Sequence, residues 1–129
     1  MSEPSIVIVE ADVLVRHPLA EYLRECGYKV IEASDGDDAR AILGDSSVSV
    51  DIVLIDIEAG GESGFSLARS VRAQHPAVDV VLAGTVGAAV AKAGDLCEEG
   101  PRLSKPYDHR LVLQRIRQLR ARRERSRKG

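Results

Sequence analysis

The sequence has no tryptophan, one phenylalanine and three tyrosines, so aromatic residues make up only 3% of its 129 positions. So few rings weigh against a flavin sandwich. The arginines near the C-terminus have no aromatics among them, which counts against a stacking surface for single-stranded nucleic acid. Long hydrophobic runs are also missing. No segment approaches the roughly 20 apolar residues that span a bilayer. The opening MSEPSIVIVE has neither the positive start nor the apolar length of a signal peptide. A cytoplasmic protein with no membrane partner is expected. Cys26 and Cys97 lie far apart without metal-ligand spacing, and Cys26 precedes a glycine at a helix end. They read as buried free thiols rather than a bridge, which points to a reducing compartment. The GGESG segment, residues 60–64, has no following lysine at P-loop spacing and is not a nucleotide cradle.

What the chain does have is enough apolar content, 44%, for one globular domain with its own core. Its formal charge of -2 hides an asymmetry, because residues 110–129 carry nine Lys/Arg against Glu124 alone. That is about +8, leaving about -10 on residues 1–109. The basic end reads first as a solvated helix end with cations near its C-terminus. Nucleic acid is not expected as a partner.

Apolar runs of strand length alternate with segments of helical period, the pattern of an α/β fold with a doubly wound parallel sheet and helices on both faces. The runs are Ile6 to Val9, Lys29 to Ala33, Ile52 to Ile55, Val78 to Ala83 and a weak fifth, Arg102 to Ser104. Val15, Leu19, Tyr22, Leu23 and Cys26 share one helical face, stopped by Gly27. Ala39, Ile42 and Leu43 mark a second helix, with Asp35 or Asp37 as its N-cap. A third carries Phe65, Ala68, Val71 and Arg72, and a fifth carries Leu111, Leu113, Ile116 and Leu119. The fourth, Ala88 to Cys97, is alanine-rich but interrupted by Gly94.

In such a sheet ligands bind beyond the carboxyl ends of the strands, and those ends carry the charges. Glu10 and Asp12 follow the first strand, Asp56 closes the third with Glu58 two residues on, and Lys105-Pro106 follows the fifth. Clustered carboxylates repel unless a proton or cation intervenes, and hard oxygen donors favour Mg²⁺. Carboxylates, a divalent cation and one ammonium suit a phosphoryl group carried on Asp56. His17, His75 and His109 lie at helix starts and ends and read as capping or solvated residues.

From about Ser5 to Leu119 the chain resembles a receiver domain of two-component response regulators, of the single-domain chemotaxis type. The resemblance rests on the acids after strand one, Asp56, Gly64 eight residues later, and Lys105-Pro106. It implies a flavodoxin-like, five-stranded sheet of order 2-1-3-4-5 flanked by five helices, with a receiver-like domain over 1–121 and a fraying basic tail over 122–129. It also implies that Asp56 accepts a phosphoryl group from a histidine kinase or phosphotransfer protein. Lys105 would contact the phosphate, and Mg²⁺ would be held by Glu10, Asp56 and the Glu58 carbonyl. The chain departs from the pattern at Ala11, where the family has a second acid, and at Ala59-Gly60, where it has Met-Pro. Gly84 stands where a hydroxyl is usual, with Thr85 next, and Arg102 falls near the usual aromatic. Asp12 is a substitute ligand only if it reaches back, and Thr85 is a candidate phosphate hydroxyl.

The leading expectation is a non-enzymatic single-domain regulator, with no output domain after Leu119. It would act as a monomer or weak dimer through a downstream protein target. The alternative is a pseudo-receiver, a phosphorylation-independent interaction module. A flavodoxin-like redox carrier is disfavoured by EADVLVRH, which lacks a Ser/Thr-Gly phosphate cradle.

Overall fold

Strands buried on both faces read as near-continuous apolar runs, and four such runs build the sheet. The computed structural model describes residues 3–56, 63–101 and 108–128. β1 (Ser5–Val9), β2 (Lys29–Ala33), β3 (Ile52–Asp56) and β4 (Asp79–Ala83) pair in parallel in the order β2-β1-β3-β4. Five helices lie among the described residues: α1 (Val13–Glu25), α2 (Gly36–Leu43), α3 (Gly64–Gln74), α4 (Val86–Glu98) and α5 (His109–Lys128). The weak run Arg102 to Ser104 lies outside the described residues.

β1 shows why the sheet needs two layers of helices. All five of its residues are buried, and they alternate between two cores. Ile6 and Ile8 join Val15 and Leu19 of α1, Val90 and Ala93 of α4, and Val112 and Ile116 of α5. Val7 and Val9 turn the other way, to Ala39 of α2 and Leu67, Ala68 and Val71 of α3. Three helices therefore cover one face and two the other.

Local chemistry sets the helix ends. Asp12, Asp35, Ser63 and Thr85 cap α1, α2, α3 and α4, each with a side-chain oxygen accepting a first-turn N–H. Gly27, just past α1, has φ 101°, a conformation open to glycine and strained for other residues. Gly94 does not break α4, because the close approach of α5 demands it there. A Cβ on Gly94 would sit 2.7 Å from Nδ1 and 3.1 Å from Cβ of His109.

Two sequence expectations need correction. Cys26 and Cys97 are buried but not free: they form a disulfide, with Cα atoms 5.3 Å apart, joining the C-terminal ends of α1 and α4. That removes the thiol argument for a reducing compartment. α5 continues as helix to Lys128, through the basic end. α3 and α5 bury the expected Ala68, Val71 and Ile116, but not the first residue of each expected face. Phe65 and Leu111 are more than half exposed, while Leu67 in α3 and Val112 in α5 turn inward. Among the described residues, no helix is long and apolar enough to cross a membrane.

Candidate functional site

Register brings the first two acids together. Val9 of β1 pairs with Ile55 of β3, so Glu10 and Asp56 are the next residues along two adjacent parallel strands. The Glu10 N–H donates to the carbonyl of Ala33 at 3.0 Å, which extends the β1–β2 ladder by one bond. Arg16 of α1 donates Nη1 to the Glu10 carbonyl at 2.9 Å and Nε to Glu32 at 3.2 Å, tying this corner to β2. The backbone around Glu10 is thus held from two sides. Its side chain shares with Asp56 a small cleft floored by Ile8, Leu19 and Leu54 and closed by Ala89 of α4.

The two carboxyls lie within hydrogen-bonding reach of each other once one of them carries a proton. Burial, that hydrogen bond and the negative charge of Asp56 raise Glu10 from its ordinary 4.5 to about 7, against the lowering effect of the Asp12 N–H. That N–H donates to Glu10 Oε1 at 3.2 Å. Two carboxylates this close hold either a shared proton or a cation between them.

Asp12 does not join them. Its Oδ1 accepts the Leu14 N–H at 3.0 Å as the cap of α1. Its carboxylate also receives both terminal nitrogens of Arg123, at 2.9 and 3.0 Å, with Arg120 Nε at 3.5 Å. The Arg123 hydrogen bonds hold its pKa below the usual carboxylate range, against the cost of burial and with help from the Leu14 N–H. The arginines were read in the sequence as a solvated helix end, and nothing in the spacing marks two of them as partners of a residue more than 100 positions earlier.

Thr85 caps α4, its Oγ1 accepting the Ala88 N–H at 3.0 Å, and is exposed beside Gly84. That bond uses an oxygen lone pair and leaves the hydroxyl proton able to donate. Ala11 is exposed and offers no side-chain ligand. Glu58, Ala59-Gly60, Arg102 and Lys105 lie outside the described residues.

Mg²⁺ is commonly held by one or two carboxylates while keeping several waters. The Glu10–Asp56 pair, all oxygen and at a strand-end cleft, fits that donor chemistry. Among the described residues, no group of three or more His, Cys, Asp or Glu could hold a metal.

Comparison with known proteins identifies the family. The sequence profile of the response regulator receiver domain matches residues 6–117. The chain is 31% identical over 119 residues to the aerobic respiration control protein ArcA of Escherichia coli (strain K12), covering 92% of this chain and 49% of ArcA. It therefore spans about half the length of that relative. Among solved structures, the signal receiver domain of an HD domain-containing protein from Pseudomonas fluorescens Pf-5 is similar. That match has a TM-score of 0.60 and 26% identity, covering 97% of this chain and 95% of the other. A chain in the complex of histidine kinase ThkA with response regulator TrrA matches with a TM-score of 0.56 and 26% identity, covering 64% of this chain and 69% of that one.

Proposed function

The chain belongs to the response regulator receiver family, and from that premise we propose that Asp56 accepts a phosphoryl group from the phosphohistidine of a kinase or phosphotransfer protein. The observation that carries this reading is the contact between Glu10 and Asp56 at the ends of β1 and β3. An Asp56 carboxylate oxygen attacks phosphorus, the phosphorus–nitrogen bond to the donor imidazole breaks, and an acyl phosphate forms. For that attack the oxygen has to be free of the Glu10 proton, so the raised pKa of Glu10 makes the acceptor sensitive to protons near neutrality. Glu10, Asp56 and the Glu58 carbonyl would hold Mg²⁺, whose charge would offset that of the phosphoryl oxygens. Lys105 contributes a further positive charge, and the Thr85 hydroxyl donates to the phosphoryl group. Output passes to a separate protein target, whose affinity changes with the packing of the β4–α4 side.

A second reading is favoured by Ala11 and by the tethering of Asp12 to Arg123: a pseudo-receiver whose partner binding ignores phosphorylation. One experiment separates the two. The chain is incubated with acetyl phosphate and Mg²⁺ and weighed intact, beside D56N. The acceptor reading requires a gain of one phosphoryl group that D56N lacks; no gain on the wild type supports the pseudo-receiver.

A further inference from the structure

Asp12 is the one acid of the corner that α5 has claimed. Its side chain is 19% exposed, that of Arg123 33% and that of Arg120 45%. A bidentate guanidinium–carboxylate pair is stronger and more directional than an ordinary surface ion pair. Arg123 is also fixed by packing, since its Nε is buried without a hydrogen-bond partner among the described residues. The clamp nevertheless sits next to the acceptor pair. The Asp12 backbone N–H donates to Glu10 Oε1, so Asp12 contacts Glu10, which in turn contacts Asp56.

We infer that Asp12 is a contested ligand: while Arg120 and Arg123 hold its carboxylate, the corner offers a divalent cation only two carboxylates, and freeing it supplies a third. Ala11 gives the contest its consequence, because the position between Glu10 and Asp12 has no side-chain oxygen to offer. Docking of the end of α5 and tight cation binding then oppose each other. The coupling is reciprocal, so whatever draws the α5 arginines away raises cation affinity, and a bound cation loosens the end of α5. The chemistry that would draw them away is an acidic protein surface, which guanidinium groups pair with as readily as they pair with Asp12.

This inference rests on the metal-binding part of the proposed function, and its test does not use phosphorylation. Mg²⁺ alone is titrated calorimetrically into the full chain at fixed ionic strength. R120Q/R123Q is expected to bind about tenfold more tightly than the wild type, the scale set by losing one strong charge-assisted pair. Removing two positive charges strengthens cation binding by long-range attraction alone, so two controls are needed. R122Q/R125Q removes two charges from the same helix without touching Asp12 and should stay within about twofold of the wild type. R120Q/R123Q/D12N should lose the gain.

Equal affinity in the wild type and R120Q/R123Q overturns the inference. So does a gain that survives D12N, a similar gain in R122Q/R125Q, or no Mg²⁺ binding by any of these proteins. As a second readout, Mg²⁺ at saturation should speed amide exchange over residues 120–127 of the wild type, and unchanged exchange counts against the contest. Acetyl phosphate labelling of the same samples keeps the failures apart. Absent labelling with the expected Mg²⁺ order defeats the acceptor role and leaves the contested ligand standing.

Discussion

Arg123 donates Nη1 and Nη2 to the two carboxylate oxygens of Asp12, at 2.9 and 3.0 Å, joining the end of α5 to the start of α1. Beyond Ile116, the last fully buried residue of α5, Leu119 and Arg123 are the only described residues that are half-buried rather than exposed. The pair is therefore what anchors the final turns. R123A should lower stability by about 1–2 kcal/mol, and D12A by more, because D12A also removes the α1 cap. Urea unfolding of both single variants and the double variant checks this. A coupling of about 1 kcal/mol is expected, and strictly additive losses would contradict the anchor.

The raised pKa of Glu10 predicts an unusual stability profile. Glu10 is raised in the folded chain from 4.5 to about 7, so folding favours its protonated form. The stability it contributes is complete below about pH 4.5 and is lost as pH rises through about 7. Asp12 and Glu32 are lowered, so their contribution is lost on the other side, as pH falls below the ordinary carboxylate range. With chelator present, the urea midpoint of the wild type should decline between pH 4.5 and 7.5. E10Q should flatten that decline and leave the acid limb in place. An unchanged slope in E10Q would show that Glu10 does not hold the proton.

Gly94 tests the packing of α4 on α5. Alanine is the better helix former by about 1 kcal/mol, yet its Cβ would lie 2.9 Å from Cγ and 3.1 Å from Cβ of His109. Those atoms are close to the His109 backbone and cannot swing aside as a side-chain tip would. G94A should therefore lose about 1–3 kcal/mol despite its helix propensity, and G94A/H109A should recover most of it. A G94A protein more stable than the wild type would refute the contact.

The bridge between Cys26 and Cys97 closes 71 residues of chain, from the end of α1 to the end of α4. Loop-closure entropy gives such a bridge about 4 kcal/mol. Reductant should lower the urea midpoint of the wild type clearly and leave C26S/C97S unchanged. Coincident wild-type curves with and without reductant would mean that the bridge does not form.

The strands were legible because a sheet covered on both faces leaves little room for polar residues. The runs from Ile6, Lys29, Ile52 and Val78 match the observed strands to within a residue at each end. Caps were partly legible, since Asp35 was one of two candidates. At Phe65 and Leu111 the helical period alone fits a neighbouring apolar residue as well, and it is Leu67 and Val112 that are buried. The meeting of Glu10 with Asp56 followed from strand neighbourhood. The Cys26–Cys97 bridge and the Arg123 clamp did not, because each joins segments far apart in sequence through helix packing that no local spacing encodes.

The account stands on Asp56 as a nucleophile beside Glu10, and intact-mass measurement after incubation with acetyl phosphate and Mg²⁺ tests that most directly. The wild type should gain the mass of one phosphoryl group. R122Q/R125Q should gain the same, and D56N should gain nothing. Reduction of the acyl phosphate with borohydride should place the modification at residue 56. A wild type that stays at its starting mass, or a gain that persists in D56N, would contradict the central claim.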